Sequence, residues 1–282
     1  MKTLSIALLI LIAMSGHLNA DNLSAVNNKI TLNLDDTSEV FVKGSIVLLE
    51  ESLPDTFRQW DALVNLQVAE PEKQHPTSVF QAFLPKKPVS VGELWVPDMM
   101  GVVPLLKQLH PNPNFFLHIN FGDSFGLWAC LRAYNAQYAD IVFRIHAEFR
   151  LEDGWFTPSQ FTGHLVIDRI EEKVAFFEMY VPKGVINFDV NWKRDKNASH
   201  HITSTGFCPK MELHAGAEDL LERIEFTASI TQAEAERALR LNFYKSQQIN
   251  WVPLAQVLER AQAEQKPIHV ISIDGPLTDE SC

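Results

Sequence analysis

Cysteine is scarce: the 282-residue chain holds three, Cys130, Cys208 and Cys282. Three cannot all pair within one chain, which excludes the dense disulfide framework of small secreted domains. Runs of positive charge are missing as well. The nearest approach, WKRDKN at 192–197, contains its own aspartate, and the whole chain carries a formal charge of -11. Such a chain repels a phosphate backbone, which excludes nucleic acid as a partner. After the N-terminal stretch no apolar run approaches the roughly 20 residues of a membrane-crossing helix, so no transmembrane span is expected there. No P-loop, dinucleotide fingerprint or Ser-His-Asp arrangement stands out. Low-complexity tracts are absent, and with 46% of residues hydrophobic there is ample material for a core of one or two domains.

The N-terminus reads MKTLSIALLILIAMSGHLNA. One basic residue, Lys2, precedes an apolar run and then a polar spacer ending at Ala20. This layout predicts a cleavable signal peptide over 1–20 and an exported protein, periplasmic or secreted. Leu18, three residues before the cut, is larger than usual there, which keeps an uncleaved N-terminal membrane anchor open.

Further on, KITLNL at 29–34 and EVFVKGSIVLL at 39–49 read as strands. Phe57, Trp60, Leu63 and Val64 recur at helical spacing behind Asp55, which predicts a capped helix. The stretch 70–87, rich in Pro, Lys and Gln, reads as a surface connection. A short helix is expected at 102–109, and 114–134 fits either strands or a helix. The clearest signal is IVFRIHAEFRLE, where Phe143, Ile145, Ala147, Phe149 and Leu151 alternate with charged residues and His146. Such alternation indicates a half-buried strand. GHLVIDRI, VAFFEMYV and VINFDVNW follow across short turns, so 140–193 reads as an antiparallel meander. MELHA and RIEFTAS add strands before a helix at 231–239. A helix at 253–265 and a strand at 267–273 then close the chain. The fold class is therefore α+β: a β-rich antiparallel domain over 21–250, then 251–282 as the first helix and strand of a thioredoxin-like unit. In such a unit a reactive cysteine follows the strand and caps the next helix, whose dipole favours the thiolate. Without that helix the fragment should be held poorly, because one helix and one strand bury little apolar surface.

Several residues carry two readings. Cys130, among Leu127, Trp128, Ala129 and Leu131, fits a small buried hydrophobe or a bridge to Cys208. Ser199, His200 and His201 with Cys208 suggest zinc, yet the spacing matches no standard closed site and a polar hairpin loop serves as well. Asn197 heads a glycosylation sequon, relevant only in a eukaryotic secretory pathway. The row Arg144, His146, Glu148, Arg150 reads as a solvated charged sheet face, or as a binding surface. His269 and Asp274 flank the last loop, His269 on an inward-facing strand position.

RIHAEF at 144–149, FTPSQFTGH at 156–164 and the ending LTDESC together resemble the selenoprotein N family. Weaker support comes from FLPKKPVSVGELWVP at 83–97, LHPNP at 109–113 and ACLRA at 129–133. The likeness runs from Val79 to Cys282 and is patchy between Asn191 and Trp251. It implies a thiol/selenol oxidoreductase acting in disulfide exchange or peroxide reduction on a protein or small-molecule redox partner. The family's redox motif is Ser-Cys-Sec-Gly, which implies Ser281 and Cys282 as its first two members, selenocysteine directly after Cys282, and no further cofactor or metal. The sequence stops where the selenocysteine would come, so the chain as written is expected to be inactive. Cys282 would also carry its own carboxylate, which disfavours a thiolate. The EF-hand of vertebrate members is not matched: LDDTSEV at 34–40 lacks the glycine and closing glutamate such a loop needs. The alternative is a non-catalytic β-domain that binds a protein.

Overall fold

The computed structural model describes residues 29–115, 126–184, 186–195, 200–243 and 252–270. The expected leader at 1–20, Asn197, Ser199, Asp274, Ser281 and Cys282 lie outside these residues. The strands begin with β1 (Glu39–Val47), β2 (Glu72–Pro76), β3 (Leu94–Trp95), β4 (Pro113–Asn114) and β5 (Gly126–Tyr134). Next come β6 (Tyr138–His146), β7 (Glu148–Leu151), β8 (Gly154–Pro158), β9 (Phe161–Asp168) and β10 (Lys173–Tyr180). The series ends with β11 (Phe188–Trp192), β12 (Ile202–Gly206), β13 (Lys210–Gly216) and β14 (Ala228–Ser229). The helices are α1 (Asp61–Val64), α2 (Ser78–Gln81), α3 (Met99–Leu109), α4 (Leu220–Arg223), α5 (Gln232–Phe243) and α6 (Leu254–Glu264).

Two antiparallel sheets form. One has nine strands in the order β14-β5-β6-β9-β10-β13-β1-β2, with β3 also on β5; the other has five, β12-β11-β8-β7-β4. The expected α+β class, dominated by antiparallel sheet, is what the chain adopts. The meander is corrected. The β7–β8 hairpin interrupts β6 and β9, which pair with each other, and belongs with β11 to the second sheet. The chain changes sheet at Ala147, so IVFRIHAEFRLE is two strands.

Both sheets turn their apolar residues into one core. Ala139, Ile141, Phe143 and Ile145 of β6 meet Leu165 and Ile167 of β9, Phe177 and Met179 of β10, and Phe149, Phe156 and Phe188 of the second sheet. Phe143 lies 4.6 Å from Phe83 and stacks on Phe177 at 5.8 Å, centroid to centroid. Each such ring contributes on the order of 2 kcal/mol by leaving water. Helix α3 starts where the Asp98 carboxylate accepts from the Met100 N–H at 3.0 Å, and it buries Val102, Leu105, Leu106 and Leu109. The second sheet carries Trp192, on which Trp60 stacks at 5.7 Å while its indole N–H donates to the Glu152 carbonyl at 2.9 Å.

Other expectations need correction. The helix behind Asp55 is a 3-10 turn at Phe57–Gln59 and then the short α1, with no side-chain cap. Aromatic packing of Phe57 and Trp60, not helix length, explains their spacing. The surface connection at 70–87 holds β2 and α2 and buries His75, Val79, Phe80 and Phe83. His75 Nε2 donates to Gln108 Oε1 at 2.9 Å, and Gln108 Nε2 donates to the Val42 carbonyl at 2.9 Å, which ties β2, α3 and β1 together. KITLNL makes one bridge, Ile30 to Val89, and no strand. Of RIEFTAS only Ala228–Ser229 pairs.

Helix α5 follows a reciprocal cap. Glu234 Oε2 accepts from the Thr231 N–H at 2.8 Å, and Thr231 Oγ1 accepts from the Glu234 N–H at 3.2 Å. Its Ala235 and Leu239 pack on Cys130 and Val142, forming a second small core on the far side of the large sheet. Helix α6 ends in Gln265 at φ 51°, and none of its residues is buried. Residues 267–270 are exposed and form no strand, so His269 is outward-facing rather than packed, and the remainder of the expected strand lies outside the described residues. No helix among the described residues is long and apolar enough to cross a membrane.

Candidate functional site

Because Ile141, Phe143 and Ile145 point into the main core, Asp140, Val142, Arg144 and His146 must point to the opposite face of the large sheet. The register continues that face across neighbouring strands. Arg144 sits beside Thr162, Thr162 beside Tyr180, Tyr180 beside Glu212, and Glu212 beside Ser45. A second row runs from Val142 through His164, Glu178 and His214 to Lys43. The two motifs that carried the family likeness are thus laid side by side: RIHAEF supplies Arg144 and QFTGH supplies Gln160, Thr162 and His164.

This polar face is not solvated. Arg144 is 5% exposed, and His146 and Glu148 are fully buried. Of the charged row read from the sequence only Arg150 is exposed. Nor are the four one row, since Glu148 and Arg150 belong to the second sheet. Arg144 Nε donates to Gln160 Oε1, an arrangement that holds the guanidinium against the sheet. Beside it opens a cleft of about 750 Å³, floored by Arg144, Thr162 and Tyr180 and flanked by Lys210, Glu212 and, from α5, Arg240. A hollow of about 630 Å³ shares Tyr180, Lys210 and Glu212 with it and reaches Glu178, His214 and Lys43.

Under the same face Asp140 is wholly buried between His164 and Arg132. His164 Nδ1 donates to Asp140 Oδ1 at 2.9 Å, and Arg132 Nε donates to Asp140 Oδ2. Arg132 sits where the β5–β6 register shifts, between Leu131 and Ala133, a place where a strand can re-aim a side chain. Burial pushes the Asp140 carboxyl up, but His164 and Arg132 outweigh it and hold it below the usual carboxylate range. Burial likewise pushes the His164 imidazole down, and the Asp140 carboxylate more than reverses that, so it sits above its ordinary value. Across the ladder, burial raises Glu178 despite His164 and His214. The network holds charge in place within a low-dielectric layer.

Cys130 and Cys208 are free and buried, so no bridge joins them, and Cys130 is the small buried hydrophobe of the first reading. Burial pushes both thiols up to about 11, with Asp140 adding to the rise at Cys130. The Cys208 thiol donates to the carbonyls of Val47 and Lys210, 3.3 Å each. It is therefore turned away from a zinc role, while His200 and His201 are exposed. Among the described residues no group of three or more His, Cys, Asp or Glu is arranged to hold a metal ion.

Sequence reasoning missed Asp140, Tyr180, Lys210, Glu212 and Arg240. The parity of Asp140 with Arg144 in one strand was a usable signal for the first. Nothing local links the others, which come together only through strand order and the placement of α5.

Selenoprotein N of Danio rerio is 33% identical to the chain over 210 residues, covering 63% of this chain and 37% of the relative. Selenoprotein N of Homo sapiens is 28% identical over 281 residues, covering 80% and 46% respectively. The Mus musculus protein of the same name is 30% identical over 210 residues, covering 63% and 37%. No family model matches, and no solved structure does. The chain spans less than half the length of these curated relatives. On these likenesses the chain belongs to the selenoprotein N family.

Proposed function

We propose that the chain is the β-rich part of an exported thiol/selenol oxidoreductase of the selenoprotein N type, with Ser281 and Cys282 at the redox centre of a thioredoxin-like unit that begins near α6. One observation carries this reading. Of three cysteines, Cys130 and Cys208 are buried with thiols near 11, so they hold a negligible thiolate fraction at neutral pH. Thiol chemistry then falls to Cys282, inside the stretch LTDESC that resembles the family's redox motif.

A selenocysteine directly after Cys282 would supply a group that is ionised below neutral pH and attacks disulfides or peroxides without a separate base. Cys282 is then the resolving thiol. It gives up its proton and one of the two electrons that convert a substrate disulfide into two thiols, the selenocysteine would supply the other electron, and an external dithiol, or two equivalents of a thiol, returns both. Without the selenocysteine the chain is inactive in this reading.

The test is turnover of a small aromatic disulfide by the protein produced with selenocysteine after Cys282. Cys282→Ser is expected to lose at least about a hundredfold in rate, and Cys130→Ala almost nothing. Equal rates for Cys282→Ser and the parent protein would overturn the assignment. The cleft over the large sheet favours a second reading, a non-catalytic module that binds a protein. Absence of turnover together with retained partner binding would put that reading first.

A further inference from the structure

The chain as a whole is strongly acidic, yet the cleft gathers four cations, Arg144, Lys183, Lys210 and Arg240, against two carboxylates, Glu212 and Glu236. The Lys210 ammonium lies 2.7 Å from Glu212, which neutralises that pair. Glu236 accepts from Gln232 Nε2 at 2.8 Å. Among the described residues neither Lys183 nor Arg240 makes an ion pair, so these two leave the cleft lining with a net positive charge.

A second observation points to a ligand. Thr162 is 4% exposed, lies on the cleft floor between Arg144 and Tyr180, and its hydroxyl has no hydrogen-bond partner among the described residues. A buried hydroxyl without a partner is costly, and because this oxygen has almost no surface of its own, a ligand satisfies it only when the Thr162 side chain turns toward the cleft. The Tyr180 phenol is kept protonated by burial and by the nearby Glu178 and Glu236, so it too offers a donor. Guanidinium, hydroxyl and phenol donors around one concave spot suit an acceptor-only group.

We propose that this cleft binds a carboxylate, with Arg144, Thr162, Tyr180 and Arg240 facing it, at the end of a peptide-sized ligand that continues into the hollow toward Lys43. From Thr162 the rows cross three strand spacings to Ser45, on the order of 14 Å, which four or five extended residues would span. The inference rests on the cleft alone, so its failure leaves the redox reading untouched.

The experiment is calorimetric titration of the purified chain with N-acetyl-pentaalanine as the free acid. Its C-terminal amide, glutarate and inorganic phosphate are titrated in parallel. The free acid is expected to bind in the millimolar range or tighter, and the amide about tenfold more weakly. Lys183→Glu and Arg240→Glu should each weaken the free acid about tenfold, with a loss that grows as salt is lowered. Because Arg144 is buried and its removal could unfold the sheet, those two rim variants carry the test, with Thr162→Val as the near-isosteric floor variant. Glutarate binding as tightly as the peptide, and equally sensitive to Arg240→Glu, would support the carboxylate site and assign it to a small acid. Phosphate binding more tightly than either carboxylate would overturn the proposal. So would no binding up to about 10 mM, or binding indifferent to both rim variants.

Discussion

Replacing Gly163 with alanine is expected to leave no soluble, cooperatively folded protein. Gly163 sits in the middle of β9, hydrogen-bonded sheet on either side, opposite Phe143 of β6 and Met179 of β10. A Cβ built there would lie 2.0 Å from the Glu178 carbonyl oxygen and 2.6 Å from Phe143 Cζ. The carbonyl belongs to the backbone of the neighbouring strand and cannot swing aside without breaking the ladder. Phe143 cannot retreat either, since it is fixed between Phe83 and Phe177. Overpacking that moves backbone in a close-packed core costs more than the usual 1–3 kcal/mol of such changes, and about 5 kcal/mol would consume most of a typical domain's stability. Soluble yield and urea denaturation of Gly163→Ala measure this. A soluble variant losing less than about 1 kcal/mol would mean that β9 and β10 are not in the register described.

Asp140→Asn should cost about 3 kcal/mol, because removing one partner of a buried ion pair strands the charge on the other. The loss depends on pH in a definite direction. Asp140 is held below its ordinary 3.8, so its contribution is present above that value and disappears as pH falls through the depressed one. His164 is held above its ordinary 6.5, so its contribution is complete below that value and is lost as pH rises through the raised one. The gap between parent and variant should therefore be widest between pH 3.8 and 6.5 and shrink on both sides. Denaturant midpoints at pH 5.5 and pH 9 make the comparison, with Val166→Ala, opposite Asp140 on the neighbouring strand β9, as a control whose cost stays flat across that range. A gap for Asp140→Asn that stayed constant or widened at high pH would contradict the pairing with His164.

How far the sequence spoke is clear from particular residues. The alternation in IVFRIHAEFRLE correctly separated Phe143, Ile145, Phe149 and Leu151 from the charged residues. It could not reveal the change of sheet at Ala147, because both sheets face one core and the period runs on unbroken. The charged face read as solvated because Arg and Glu are seldom buried. What lies over that face includes α5, some 90 residues further along, and no local pattern announces such a cover. The stretch 70–87 reads as a surface connection for its Pro, Lys and Gln content, while Val79, Phe80 and Phe83, too few for a clear period, lie in the core. Gln160, Thr162, Gly163 and His164 were visible as a motif, yet their separate tasks emerge only from the register: a partner for Arg144, a cleft floor, a close approach and a partner for Asp140.

The most direct measurement is alkylation of the native chain with iodoacetamide near pH 7, with the modified cysteines mapped by mass spectrometry. Thiols near 11 hold roughly one thiolate in ten thousand at that pH, and both are shielded from reagent. Cys282 is therefore expected to be labelled first, and Cys130 and Cys208 only after denaturation. Labelling of Cys130 or Cys208 in the folded protein as fast as Cys282 would contradict the proposal that Cys282 is the redox thiol.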